Sequence, residues 1–214
     1  MSARQVTSRL IHEITQSVAT FQPSRPAIDR EQLSGFAKAV LGSVDVRDLR
    51  GLASATLLGQ LEELLEAIQV RQREEIRVDL RYDDQADVLV VETCLEDQPF
   101  LVSTMRAAMA SEHLEIRRFL AAIVRVVRDP AGKLVAVGTG HAESVMRIEI
   151  GMAGGSAGRD GGGVPKGLSQ RIEHRLRLAQ AMVGDFPAMK AHVKAVADGY
   201  FAVAHARAGE EAAS

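Results

Sequence analysis

Three carboxylates fall within six residues of one another, at Glu92, Glu96 and Asp97, and Gln98-Pro99-Phe100-Leu101 follows them directly. Two kinds of chemistry are open to that grouping. Acids just before a helix complement the positive end of its dipole and do nothing else. The same acids can hold the ammonium of an amino acid while backbone N–H groups at 98–101 take its carboxylate, because the first turn of a helix leaves those donors free. On the second reading the residues that would hold the ligand are Glu96, Asp97, Gln98, Pro99, Phe100 and Leu101; the residue types permit that reading and do not require it.

Other side chains offer less. The single cysteine, Cys94, sits in an apolar run with no base nearby, so it reads as a small buried hydrophobe. Six histidines are scattered, and only His141-x-Glu143 has a spacing short enough to suggest a metal pair. Ser103 and Thr104 lack the Gly-x-Ser-x-Gly elbow of a hydrolase nucleophile. Gly151 to Pro165 holds seven glycines, but neither the phosphate-loop spacing nor a dinucleotide fingerprint, and is expected to be a flexible loop. No catalytic residue, metal site or cofactor is assigned to this chain.

The elements around the acidic turn follow from periodicity. Val88 to Val91 is continuous and β-branched, as in a strand covered on both faces. Pro99 suits a first helical position, and Leu101, Met105, Ala108 and Met109 make one apolar face of a helix over 99–112. Ile76, Val78 and Leu80 alternate with Arg77, Asp79 and Arg81, a one-sided strand. A long strand begins at Leu114, turns at Asp129-Pro130-Ala131-Gly132 and returns over 134–137. Met146, Ile148 and Ile150 alternate with Arg147 and Glu149 in a last strand. Leu168, Ile172, Leu176, Ala179 and Val183 define a helix, and Asp185-Phe186-Pro187 separates it from another that fades into an Ala/Glu-rich tail. Upstream, Val6, Leu10, Ile14 and Val18 stripe one helix. Asp29 caps a second, with Gln32 as its reciprocal partner, and Asp45 starts a short turn through Leu49. A third helix runs over 52–74.

The order from 76 to 183 is strand, strand, helix, strand, strand, strand, helix. It predicts an α+β fold: a mostly antiparallel sheet with helices on one face, related to the ferredoxin-like plan. An N-terminal helical segment over 1–74 precedes the domain at 75–183, and a C-terminal helix and tail occupy 184–214.

Composition narrows the function. The 214 residues carry a formal net charge of −2, 46% hydrophobic and 4% aromatic residues, and no Trp. A nucleic-acid interface needs a basic face and stacking platforms, so none is expected. No apolar run reaches the roughly 20 residues that span a bilayer, and no secretory leader is visible at Met1 to Gln5. With one cysteine, a reducing, cytoplasmic setting is expected.

Several of these stretches also match a known family in order. Glu96-Asp97-Gln98-Pro99-Phe100-Leu101-Val102 resembles the acidic pair and Met-Pro-Phe-Leu-Val-Asp-Ser of the first ACT-like domain of the large bacterial NAD-specific glutamate dehydrogenases. Gln98 stands in place of Met, and Ser103-Thr104 in place of Asp-Ser. Ile123 to Asp129 with Gly132-Lys133-Leu134 is similar to that family's long strand and hairpin. Glu143-Ser144-Val145-Met146-Arg147-Ile148-Glu149-Ile150 follows its Glu-Ser-Phe-Met-His-Ile-Glu-Ile, and Asp185-Phe186-Pro187-Ala188-Met189 its Asp-Trp-x-x-Met. Val46-Arg47-Asp48-Leu49 and Leu57 to Ile68 resemble its helical lead-in. The resemblance covers roughly residues 31–200. It implies an ACT/ferredoxin-like domain and a non-catalytic regulatory or oligomerisation module in glutamate catabolism, with an amino-acid effector at the acidic turn. It implies that NAD and the chemistry belong to a catalytic region downstream of the matched stretch. Expected partners are a second copy of the chain or a glutamate dehydrogenase catalytic chain. The alternative is a structural interaction module with no small-molecule ligand.

Overall fold

A computed structural model describes residues 12–18, 20–26, 28–44, 46–49, 51–151 and 164–212. The expected Gly-rich loop therefore lies outside the described residues over 152–163, as do Val6 and Leu10 of the first stripe and Asp45.

Five strands form one sheet: β1 (Arg77–Asp83), β2 (Val88–Glu96), β3 (Glu115–Arg128), β4 (Leu134–Val137) and β5 (His141–Gly151). Their spatial order is β1-β2-β5-β3-β4, and every neighbouring pair is antiparallel. The central strand is β5, so β2 and β3 run parallel to each other on either side of it. The helix joining them, α3 (Leu101–Ser111), makes a split β-α-β unit. This is the expected α+β, ACT/ferredoxin-like plan. The one-sided strand of Arg77, Asp79 and Arg81 is an edge of the sheet, and the last strand in sequence is its middle.

The strand alternation sorts side chains onto two faces, each with its own core. On one face Leu89, Val91, Leu95, Phe119, Met146, Ile148 and Ile150 pack under α3 and the start of α4 (Leu168–Ala212). Met105 and Met109 of α3 and Leu168, Ile172 and Leu176 of α4 close that core. These are the helices and apolar positions expected from the sequence. The opposite face carries Cys94, Leu120, Ala122, Val124, Val126 and Val145. It is covered by α1 (Arg30–Ser43), α2 (Ser54–Ala67) and the helical residues 12–18. The N-terminal stripes are thus buried against the sheet.

Asp29 caps α1 as expected, its carboxylate accepting from the Gln32 N–H at 2.7 Å. The reciprocal half is not made, because the Gln32 side chain accepts from Gln69 Nε2 at 3.2 Å instead. The short turn appears as a 3-10 helix at Val46–Leu49. α2 stops at Ala67, several residues before 74, and the cause is competition from the hairpin. Gln69 O accepts from the Leu134 N–H at 2.8 Å, and the Arg71 N–H donates to Gly132 O at 3.0 Å. Asp185-Phe186-Pro187 does not separate two helices. α4 runs through it as one helix of 45 residues.

Candidate functional site

The start of α3 departs from the expected geometry in a way that shapes the site. Pro99 is not the first helical residue: the helix begins at Leu101, and Phe100 stands at its N-cap with φ 72°. A left-handed Phe is strained. No side chain caps the helix, so its first N–H groups remain available. The same turn leaves Phe100 72% exposed.

Beside this turn lies an open cleft of about 570 Å³. Four of the six expected residues, Asp97, Gln98, Phe100 and Leu101, line it. Glu96 and Pro99 are exposed and do not line it. Glu92 belongs elsewhere. Its side chain is on the face that carries Cys94, buried and paired with Arg147 inside β2, whereas Glu96 ends the strand and Asp97 follows it, so the three carboxylates do not form one cluster.

Residues that no local pattern pointed to complete the wall. Ser43 comes from the end of α1, Ile123 from β3, Ser144 from β5 and Arg106 from the second turn of α3. Ser43 Oγ accepts from the Ile123 N–H at 3.0 Å, fixing the end of α1 against β3. The Arg106 guanidinium sits 4.3 Å from the Phe119 ring centroid, within cation–π range. These contributions come from four elements. Ile123 and Ser144 sat in stretches already singled out, Ile123 to Asp129 and Glu143 to Ile150, but nothing in either stretch pointed to the cleft.

The electrostatics are mixed. Partial desolvation raises the Asp97 carboxyl above its ordinary value, against the opposing hydrogen bond from the Gln98 N–H. Gln98 Nε2 is buried with no hydrogen-bond partner, an orphaned donor in the cleft wall. One carboxylate, one guanidinium, three hydroxyls (Ser43, Ser103 and Ser144), free helix N–H groups and an exposed aromatic ring therefore meet over an apolar floor. That set can hold a small zwitterion by its two charged ends. It holds no nucleophile with an adjacent base.

More than half of the chain, residues 36–159, matches the family model described as glutamate dehydrogenase, ACT1 domain. The chain belongs to this family. No curated protein and no solved structure matches it. The matched region begins inside α1, so the ACT1 model takes in most of the helical layer as well as the five strands. It ends before α4.

A second constellation is buried rather than open. Glu143, inaccessible to solvent, accepts from Arg71 Nη2 at 2.6 Å and from Arg128 Nε and Nη2 at 2.8 Å each. Cys94 Sγ donates to it at 3.1 Å. Burial alone would raise this carboxyl, but the hydrogen bonds from Arg128, Arg71 and Cys94 outweigh it and hold the group at about 2. Burial, followed by the Glu143 charge, pushes the Cys94 thiol far up, so it is inert. Arg128 Nη1 also donates to Ile68 O and Gly132 O. The cluster locks the end of α2 and the hairpin to the central strand, in this ACT1 chain a structural role.

Among the described residues no three His, Cys, Asp or Glu side chains are placed to hold a metal ion. Nor is any described helix long and apolar enough to cross a membrane.

Proposed function

We propose that this chain is the regulatory module of a glutamate dehydrogenase, and that the cleft at the start of α3 binds an α-amino acid. The observation that carries the reading is the uncapped N-terminus of α3 beside Asp97, Arg106 and the orphaned Gln98 Nε2. Asp97 takes the ligand ammonium. The helix N–H groups and Arg106 take its carboxylate. Ser43, Ser144 and Gln98 select among side chains, and Phe100 shields the bound molecule from water. In this reading NAD is bound by the catalytic region, not by the present chain, and the setting is cytoplasmic. The partners are a second copy of the chain or the catalytic chain itself.

The alternative, an interaction module without a ligand, is favoured by one observation: the exposed Phe100 would equally suit a protein contact. Titration calorimetry with the twenty amino acids separates the two. The effector reading expects saturable binding of one or a few of them, weakened at least tenfold by Asp97→Asn. Absence of heat with every amino acid, in a chain shown to be folded, would leave the structural reading in place.

A further inference from the structure

The sheet accounts for only the first part of α4. Leu168, Ile172, Leu176 and Ala179 are buried in it, and no described residue after Ala179 is buried. The helix nonetheless continues to Ala212. Along this free part, Met182 is 70% and Val193 66% exposed, with Met189 and Val196 exposed beside them. Scattered exposed apolar residues need no explanation, but a regular row does.

This row is regular. Counting sevens from Met182 gives Met182, Met189, Val196 and Val203. Four residues after each of the first three come Phe186, Val193 and Tyr200. The 4-3 alternation runs unbroken through seven positions and three heptads, the length at which an apolar seam points to a coiled coil. Counted back in the same alternation it meets Leu168, Ile172 and Ala179, so it continues the stripe that seats the helix on the sheet into the part that the sheet does not cover. The seam lies beyond the family-matched residues 36–159, and Pro187 falls at a heptad position off it.

We infer that the free half of α4 pairs with the same helix of a second copy of this chain, as a parallel two-stranded coiled coil. Two features select that occupant. A heptad seam is self-complementary, and β-branched Val193 at its position favours two strands. The flanking charges then choose the direction. In a parallel pair the residue before one core position meets the residue five further on in the partner, which sets Asp185 against Lys190 twice by symmetry. In the antiparallel alignment that packs Met189 on Val193, the two Lys190 face each other. The inference names a surface for the self-association proposed above and does not depend on the effector cleft, which α4 does not line.

Sedimentation equilibrium of the full chain over a wide concentration range tests it, together with two variants. The expected mass is that of a dimer, halved in the Met189→Lys/Val193→Lys double variant; both sites are exposed, so folding is checked by an unchanged melting profile. Under mild oxidation Met182→Cys should give a disulfide-linked dimer, since a parallel pair sets the two cysteines side by side. The antiparallel alignment would hold them about 27 Å apart along the axis at 1.5 Å per residue. A monomer at every concentration would overturn the inference. So would a dimer that survives the double lysine variant, which would leave self-association standing on another surface. A dimer that Met182→Cys fails to link would overturn the parallel arrangement.

Discussion

Glu143 has no contact with water, yet it stays ionised because two guanidiniums and a thiol supply its hydrogen bonds. Its pKa falls from 4.5 to about 2 on folding. The group therefore stabilises the fold fully above about pH 4.5, and that contribution is lost as pH falls towards 2. At about 1.4 kcal/mol per unit the shift corresponds to roughly 3 kcal/mol. Glu92, raised chiefly by burial against the pull of Arg147, acts with the opposite sign and returns some stability as pH falls. Glu143→Gln should lower stability at pH 7 by about 3–5 kcal/mol, because it leaves buried guanidiniums without a counter-charge. It should also flatten the loss of stability between pH 4.5 and 2. Urea unfolding at pH 7, 4 and 3 checks both. None of this was legible in the sequence, where Glu143 is one polar residue in an alternating strand. The turn glycine was legible. Gly132 adopts φ +81°, as the Asp-Pro-Ala-Gly turn implies, and an added Cβ would meet Arg71 O at 2.5 Å. Gly132→Ala should cost about 1–3 kcal/mol by the same urea assay.

At the scale of elements, strands and the sheet-bound helix stripes were readable because each presents an apolar face at its own period. Met105 is fully buried between α3 and the sheet, where its helical spacing put it. Met105→Asp places an unpaired charge in that core and should cost more than about 3 kcal/mol or abolish cooperative melting, as followed by calorimetry. Boundaries set by long-range competition were not readable. α2 ends early because Gln69 and Arg71 bond to a hairpin some sixty residues later. Glu92 is buried against Arg147 within β2, away from the cleft that Asp97 lines, which proximity in sequence concealed.

The whole molecule is a sheet with two unlike coverings. α3 and α4 form an apolar layer on one face, and the N-terminal helices form the other. The interface to the latter holds Arg147 paired with Glu92 and with Glu63 of α2, and Gln60 bonded to Glu149 at 2.6 Å. The stripes of the N-terminal helices do not say what covers them, because amphipathicity specifies that a face is buried, not what buries it. The cleft forms at one end of this assembly, where α1, β3, β5 and α3 converge. Such convergence is a property of the folded chain, which is why the turn was legible from its residues and Ser43 and Arg106 were not.

The regulatory role proposed for this chain turns on that cleft taking an amino acid. Thermal unfolding of the chain with each of the twenty L-amino acids is its most direct test. A ligand at a hundred times its Kd stabilises the bound fold by about 2.7 kcal/mol. For a chain of this size that is a rise in Tm of roughly 5–10 °C. One or a few amino acids should produce a rise of that order, and Asp97→Asn should remove most of it while leaving the unliganded Tm nearly unchanged. No shift with any amino acid at tens of millimolar, or a shift that Asp97→Asn leaves intact, would contradict the assignment.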